Sequence, residues 1–339
     1  MVKLRSALLI LLLLVLGGGL AIAVYLWGQY QDFLRQPLRL PEGGMVLEVQ
    51  PGSSLAQLAT DLESRGIISD QRWLRLHARL NKGLDRIKAG EYRLESGLTP
   101  PALLALLVSG RTLVHSITFP EGWTFRQWRQ HIERHPAIVQ RLKGLSDAQV
   151  MERIGHPDIH PEGRFFPDTY LFPRGFTDVE LLKRAWERME KELAMAWEQR
   201  VEDLPLKTPE EALILASIIE KETGLAEERR EIGGVFVRRL KKGMKLQTDP
   251  TVIYGMGKDY KGNIRRSDLR QDTPYNTYVH AGLPPTPICM PGRESLLAAV
   301  NPAEGKSLYF VAKGDGSHYF SSSLKEHNRA VRKYQLKRR

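Results

Sequence analysis

An uninterrupted apolar run near the N-terminus, Ala7 to Trp27, constrains this chain more than any other feature. At about 1.5 Å rise per residue, its 21 residues reach roughly 30 Å as a helix, the thickness of a bilayer core. Lys3 and Arg5 precede the run, and Tyr25, Trp27 and Tyr30 fall where the far interface would lie. The expected arrangement is a short cytoplasmic tail (residues 1–6), a single transmembrane anchor (7–27) and an exported remainder. A cleaved signal peptide is the competing reading, since Leu8–Leu16, Gly17-Gly18-Gly19 and Ala21-Ile22-Ala23 mimic its three parts. Apolar and aromatic residues nevertheless continue past that point to Trp27, which favours a retained anchor.

The 339 residues suffice for two domains, and one cysteine, Cys289, rules out a disulfide within the chain. A net charge of +11 predicts an anionic partner without naming it. Part of the excess lies in Lys325–Arg339, which reads first as a solvated basic helix.

Residues 28–44 read as a linker, with two prolines and two glycines between Gln36 and Gly44. Two strand–turn–helix units follow at a constant offset of 70. The first is Met45–Val49, a turn at Pro51–Ser54, and a helix bearing Leu55, Leu58 and Leu62. The second is His115–Phe119, a turn at Pro120-Glu121-Gly122, and a helix bearing Phe125, Trp128 and Ile132. Between them are predicted a helix over 71–80, a strand over 90–94 and a helix over 101–108. The order strand–helix–helix–strand in 45–112 resembles the LysM-like modules that grip murein glycans, and a structural spacer is the alternative. Residues 113–339 are expected to form one larger α+β domain, with helices over 178–200 and 209–223 followed by Gly/Pro-rich loops and short strands.

Thr208-Pro209-Glu210-Glu211 opens a helix with a cap, a first-turn proline and a capping acid. Residues 212–219 are then apolar on nearly every face, so this helix belongs in a core. Glu220 follows on the face of Leu213, Ala216 and Ser217, while Glu222 faces Ile218 and Ile219. A carboxylate on a buried face is costly when ionised unless it is paired. That suits a proton-donating acid or a structural ion pair with an Arg, and the residues alone do not choose. Downstream, Gln247-Thr248-Asp249-Pro250, Tyr254, Tyr275–Tyr278 and Gly282–Pro285 put amide, hydroxyl and aromatic groups into turns. Together they suggest a sugar site, although singly each is an ordinary turn.

Five segments, Pro161–Tyr170, Ala216–Thr223, Leu246–Tyr254, Tyr275–Tyr278 and Gly282–Pro285, together resemble the endolytic murein transglycosylase (YceG-like) family. The resemblance implies a lyase acting within peptidoglycan glycan strands. The bond between N-acetylmuramic acid and N-acetylglucosamine would break, leaving a 1,6-anhydro end. It implies one catalytic glutamate, matching Glu220, with Gln247, Asp249, Tyr254, Asn276 and Tyr278 as substrate-binding residues. Glu162 and Asp168 lie in a matching motif, where fold support is expected ahead of a second acid or a substrate contact. No cofactor or metal is implied, and polymerising penicillin-binding proteins enter as partners by family analogy.

A muramidase-type hydrolase would need a second carboxylate, from Glu162, Asp168, Glu222 or Asp249. A glycan-binding scaffold would need none. A metallohydrolase has little support, for there is no His-Glu-x-x-His, and His156 and His160 flank a proline. Nucleic acid is excluded as a partner, because an exported domain has little access to it.

Overall fold

The computed structural model describes residues 2–336, so Met1 of the expected cytoplasmic tail and Lys337–Arg339 of the basic tail lie outside the described residues. The class is mixed α+β, and the chain divides into two compact units, Met1–His115 with Phe172–Gly175, and Ser116–Leu171 with Phe176–Arg339.

The first unit begins with α1 (Val2–Arg35), of whose apolar part the described residues Ile10 to Trp27 are exposed. The helix does not stop at Trp27. Tyr30, Phe33 and, beyond its end, Leu38 are buried, and the Tyr30 hydroxyl meets His77 Nδ1 at 2.8 Å. Part of the expected linker is therefore helix and core, because these side chains extend the apolar pattern into the unit. Next come β1 (Met45–Val49), α2 (Leu55–Ser64), α3 (Gln71–Leu80), β2 (Gly90–Leu94) and α4 (Pro100–Ser109). β1 and β2 are antiparallel, with Leu47 opposite Tyr92, and both are fully buried. Leu62, Leu74 and Leu103 close the core beneath them.

In β3 (Val114–Thr118) the chain passes into the second unit, and β3 pairs with β4 (Thr169–Pro173). Between these strands lie α5 (Phe125–Glu133) and α6 (Asp147–Ile154). Both strand–turn–helix units are present, and each helix opens with a reciprocal capping box, Ser54/Gln57 for α2 and Thr124/Gln127 for α5. Leu58 and Leu62 in one, and Phe125, Trp128 and Ile132 in the other, are buried as the spacing predicts.

The rest of the second unit is built around α8 (Pro209–Glu222), whose residues Ala212 to Ile219 are all buried. α7 (Asp178–Glu198), α9 (Ala226–Lys241) and α11 (Arg293–Val300) pack around it. Gly233 makes the α9–α11 approach possible, since a Cβ there would lie 2.6 Å from the Ala298 carbonyl oxygen. α10 (Asp249–Met256) occupies sequence expected to be loop, with Pro250 in its first turn, where the missing N–H removes no helical hydrogen bond. The hairpin β5 (Tyr309–Ala312) and β6 (His318–Ser321) and the helix α12 (Leu324–Val331) complete the unit.

Candidate active site

The buried helix α8 ends in Glu220-Lys221-Glu222, and its two carboxyls enter different surroundings. The Glu220 side chain is 6% exposed, with Oε1 3.7 Å from Arg229 Nη2 and Oε2 accepting the Gly292 N–H at 3.0 Å. The same Nη2 lies 3.7 Å from Glu121 Oε2. Burial, with Glu220 and Glu294 nearby and Arg229 opposing them, raises the Glu121 carboxyl above its ordinary range. Lys221 Nζ donates to the Gly122 carbonyl at 3.3 Å. Glu220 thus belongs to an ion-paired cluster that joins the end of α8 to the Pro120-Glu121-Gly122 turn and the first turn of α11.

Glu222 opens instead onto a cleft of about 500 Å³. Its Oε1 accepts the Thr248 hydroxyl, and Thr248 is fixed in turn by its N–H donating to Thr277 Oγ1 at 3.1 Å. Burial is the main reason that its pKa is pushed up to about 7. The Asp249 charge adds to the rise, while the Thr248 hydroxyl and Arg239 oppose it. Asp249 accepts the Tyr278 hydroxyl at 2.6 Å, and burial and this bond hold that phenol above its usual range. Arg239 donates to the carbonyls of Leu246 and Leu308 at 2.8 and 2.7 Å, bracing the cleft wall, and lies 5.0 Å from the centre of the Tyr309 ring. His327 stacks on that ring at 5.2 Å.

The residues expected from sequence divide accordingly. Gln247, Asp249 and Tyr278 line the cleft with Glu222, whereas Glu220 does not. Gln247 does so from a left-handed backbone at φ 51°, with its N–H donating to the Thr277 carbonyl at 3.2 Å. Asn276 is 1% exposed, and its amide is spent within its own loop. It donates to the Asp268 and Gln271 carbonyls at 3.1 and 2.7 Å and accepts the Tyr278 N–H at 3.0 Å. It shapes the loop that presents Tyr278 and is absent from the cleft wall.

Tyr254 is also absent from that wall, because its hydroxyl donates to Glu162 at 3.1 Å. Glu162 is buried, accepts the Phe125 N–H at 2.9 Å at the start of α5, and is pushed by burial to about 7. Asp168 is exposed and accepts the N–H of its neighbour Thr169 at 2.7 Å. Both are absent from the cleft lining. Among the described residues no group of His, Cys, Asp and Glu is arranged to hold a metal.

Sequence reasoning missed Glu121 and Arg229. The turn Pro120-Glu121-Gly122, which needs Gly122 at φ 76°, marked the first only as a turn. Nothing local tied Arg229 to α8. The choice between Glu220 and Glu222 was equally hidden, since a helix buried all round has no single buried face.

A buried helix that brings a carboxyl pushed up to about 7 to an open polar cleft is an arrangement of the class that acid–base chemistry can use. Comparison with known proteins narrows that class. Residues 47–333 match the YceG-like family, and the chain belongs to it. It is 32% identical over 305 residues to an endolytic murein transglycosylase of Bacillus subtilis, covering 85% of this chain and 84% of that protein. It is 28% identical over 316 residues to an endolytic murein transglycosylase of Streptococcus pneumoniae, and spans 84% of itself but 57% of that longer relative. A crystal structure of a yceG-like protein from Listeria monocytogenes superposes with a TM-score of 0.53 at 29% identity, covering 84% of this chain and 98% of the other.

Proposed function

We propose that this protein is an endolytic murein lytic transglycosylase in which Glu222, rather than Glu220, is the acid/base. One observation carries the assignment: a carboxyl poised near pH 7 shares an open cleft with Gln247, Asp249 and Tyr278. Protonated Glu222 gives its proton to the glycosidic oxygen as the bond from C1 of N-acetylmuramic acid breaks. The resulting carboxylate takes the proton of the sugar's 6-hydroxyl while that oxygen closes on C1, giving the 1,6-anhydro end and restoring the acid. No water is consumed, and the intramolecular hydroxyl acts at high effective concentration. The Asp249 carboxylate, held by Tyr278, supplies negative charge for an oxocarbenium-like C1. Glu220 is the ion-paired support of the turn that presents Glu222.

The same reading makes α1 a single-pass inner-membrane anchor, with Lys3 and Arg5 on the cytoplasmic side and both units outside. Residues 45–112 would be a LysM-like glycan grip. The partners would be nascent peptidoglycan and, by analogy with the family, its penicillin-binding synthases.

The test is digestion of purified glycan strands by the full chain in detergent, with the products read by mass spectrometry. Internal cuts with 1,6-anhydro ends, lost in Glu222→Gln and retained in Glu220→Gln, are expected. Loss in Glu220→Gln alone would return the acid to Glu220. Reducing ends would mean a hydrolase, and strand binding without any cleavage would mean a scaffold.

A further inference from the structure

Positive charge is concentrated outside the C-terminal tail as well: residues 71–88 hold six Lys and Arg against one Asp. Arg75, Arg79, Lys82 and Arg86 line a cleft of about 510 Å³ formed by α3, the turn after it and the start of α2. All four are exposed. Among the described residues none of them is ion-paired, whereas the neighbouring Arg72 is held by Asp70 at 2.7 Å. Asp85 lines the same cleft and offsets one of these charges. The remaining excess of cations around one depression is self-repelling, and an anion seated there removes that penalty.

The position of α3 selects the anion. Trp73 and His77 of this helix clasp Tyr30 of α1, with ring centres 5.9 Å apart for the first and a 2.8 Å hydrogen bond to the second. Tyr30 lies three residues, about 4.5 Å of helical rise, beyond Trp27 and the end of the exposed apolar stretch. α3 itself spans ten residues, about 15 Å. The contact with Tyr30 therefore sets α3 beside the turn of α1 that follows the exposed apolar stretch, and long Arg and Lys stems extend the reach of its cations. Leu80, at the end of the same helix, is 59% exposed.

We infer that the cleft of Arg75, Arg79, Lys82 and Arg86 docks on the phosphates of anionic phospholipid headgroups, holding the first unit down on the membrane that anchors it. The inference rests on α1 being a retained anchor. Guanidinium groups pair with phosphate oxygens through two parallel N–H donors, and such pairing strengthens next to an anionic surface. A neutral glycan brings nothing to four unpaired cations, and no aromatic ring lines the cleft to stack on a sugar face.

The experiment is hydrogen exchange of the full chain in nanodiscs of phosphatidylcholine, with and without phosphatidylglycerol. The expected result is several-fold slower exchange over residues 71–89 in the anionic discs. That difference should be lost at high salt and in both the Arg75→Glu/Arg79→Glu/Lys82→Glu and the milder Arg75→Gln/Arg79→Gln/Lys82→Gln variants. Unchanged exchange over β1 and β2 would show that the variants fold. Equal exchange in the two discs, or slowing that persists in the variants, would overturn the inference. So would slowing produced by peptide-bearing murein fragments but not by anionic lipid. A chain that fails to stay in even neutral discs would overturn the anchor reading, and this inference with it.

Discussion

Glu220 and Glu222 stand two residues apart on α8, yet the first is held by Arg229 and the Gly292 N–H while the second meets the Thr248 hydroxyl at the cleft. Removing the cation should therefore be costly for the fold. Arg229→Ala leaves Glu220 and Glu121 without their shared counter-charge, and roughly 2–3 kcal/mol of stability should be lost. Adding Glu220→Gln removes the stranded charge and should recover about half of that loss. Urea unfolding of the two single variants and the double variant measures the coupling. Strictly additive losses would show that the pair does not interact.

Activity should fall on the alkaline side as pH rises through about 7, because the acid must carry its proton. Two neighbours move that limb in opposite directions. Asp249→Asn removes a charge that raises the Glu222 pKa, so the limb should shift to lower pH. Thr248→Val removes a hydroxyl that favours the ionised form, so the limb should shift to higher pH. Profiles of kcat/KM for the two variants decide, and a limb that neither moves belongs to another group.

Much of this was legible in the chain. The two strand–turn–helix units and the buried helix expected over 209–223 follow from periodicity, caps and side-chain type, and three of the downstream residues singled out, Gln247, Asp249 and Tyr278, meet in one cleft. What escaped depended on direction or distance. All faces of α8 are buried, so hydrophobic pattern cannot say which of two nearby glutamates meets solvent. Asn276 and Tyr278 look alike as sugar ligands, and their division into loop brace and cleft wall arises from hydrogen bonds to Asp268 and Gln271. Glu121 and Arg229 meet Glu220 only through tertiary packing. α10 was hidden because its first turn carries a proline, which reads equally as a loop.

Glu162 offers a stability test that is independent of catalysis. Its folded pKa of about 7 lies above the ordinary carboxyl value of 4.5, so the folded state holds the proton more tightly. The contribution is fully present below pH 4.5 and is lost as pH rises through 7, to a total of about 3 kcal/mol. Glu162→Gln keeps an oxygen for the Phe125 N–H and leaves Tyr254 a partner, and it should remove about half of the pH slope, leaving the share of Glu222, which is raised to the same value. Unfolding free energies between pH 4.5 and 8 compare the two proteins. An unchanged slope would assign the proton elsewhere, with Glu222 the next candidate.

At Gly233 the backbone contact leaves no space for a methyl group. Gly233→Ala should separate α9 from α11 at Ala298 and cost about 2 kcal/mol, as overpacked cores do. Gly224→Ala, where nothing lies within 4 Å, should stay within about 0.5 kcal/mol of the parent. Thermal unfolding of both distinguishes close helix packing from a general intolerance of substitution in this unit.

Gln247 holds a left-handed backbone at φ 51° while its side chain lines the cleft. Glycine would relieve that strain but also add freedom to the unfolded chain, so the two effects nearly cancel. Gln247→Gly should therefore leave stability within about 1 kcal/mol of the parent. Activity should behave differently. If the side chain orients the sugar, its loss should lower turnover on glycan strands by about 10-fold or more, the scale of one misplaced contact in an active site. Melting temperature and turnover measured on one preparation separate the two effects. Full activity in a glycine variant of parental stability would make Gln247 a turn residue and move substrate recognition onto Asp249, Tyr278 and the opposite wall.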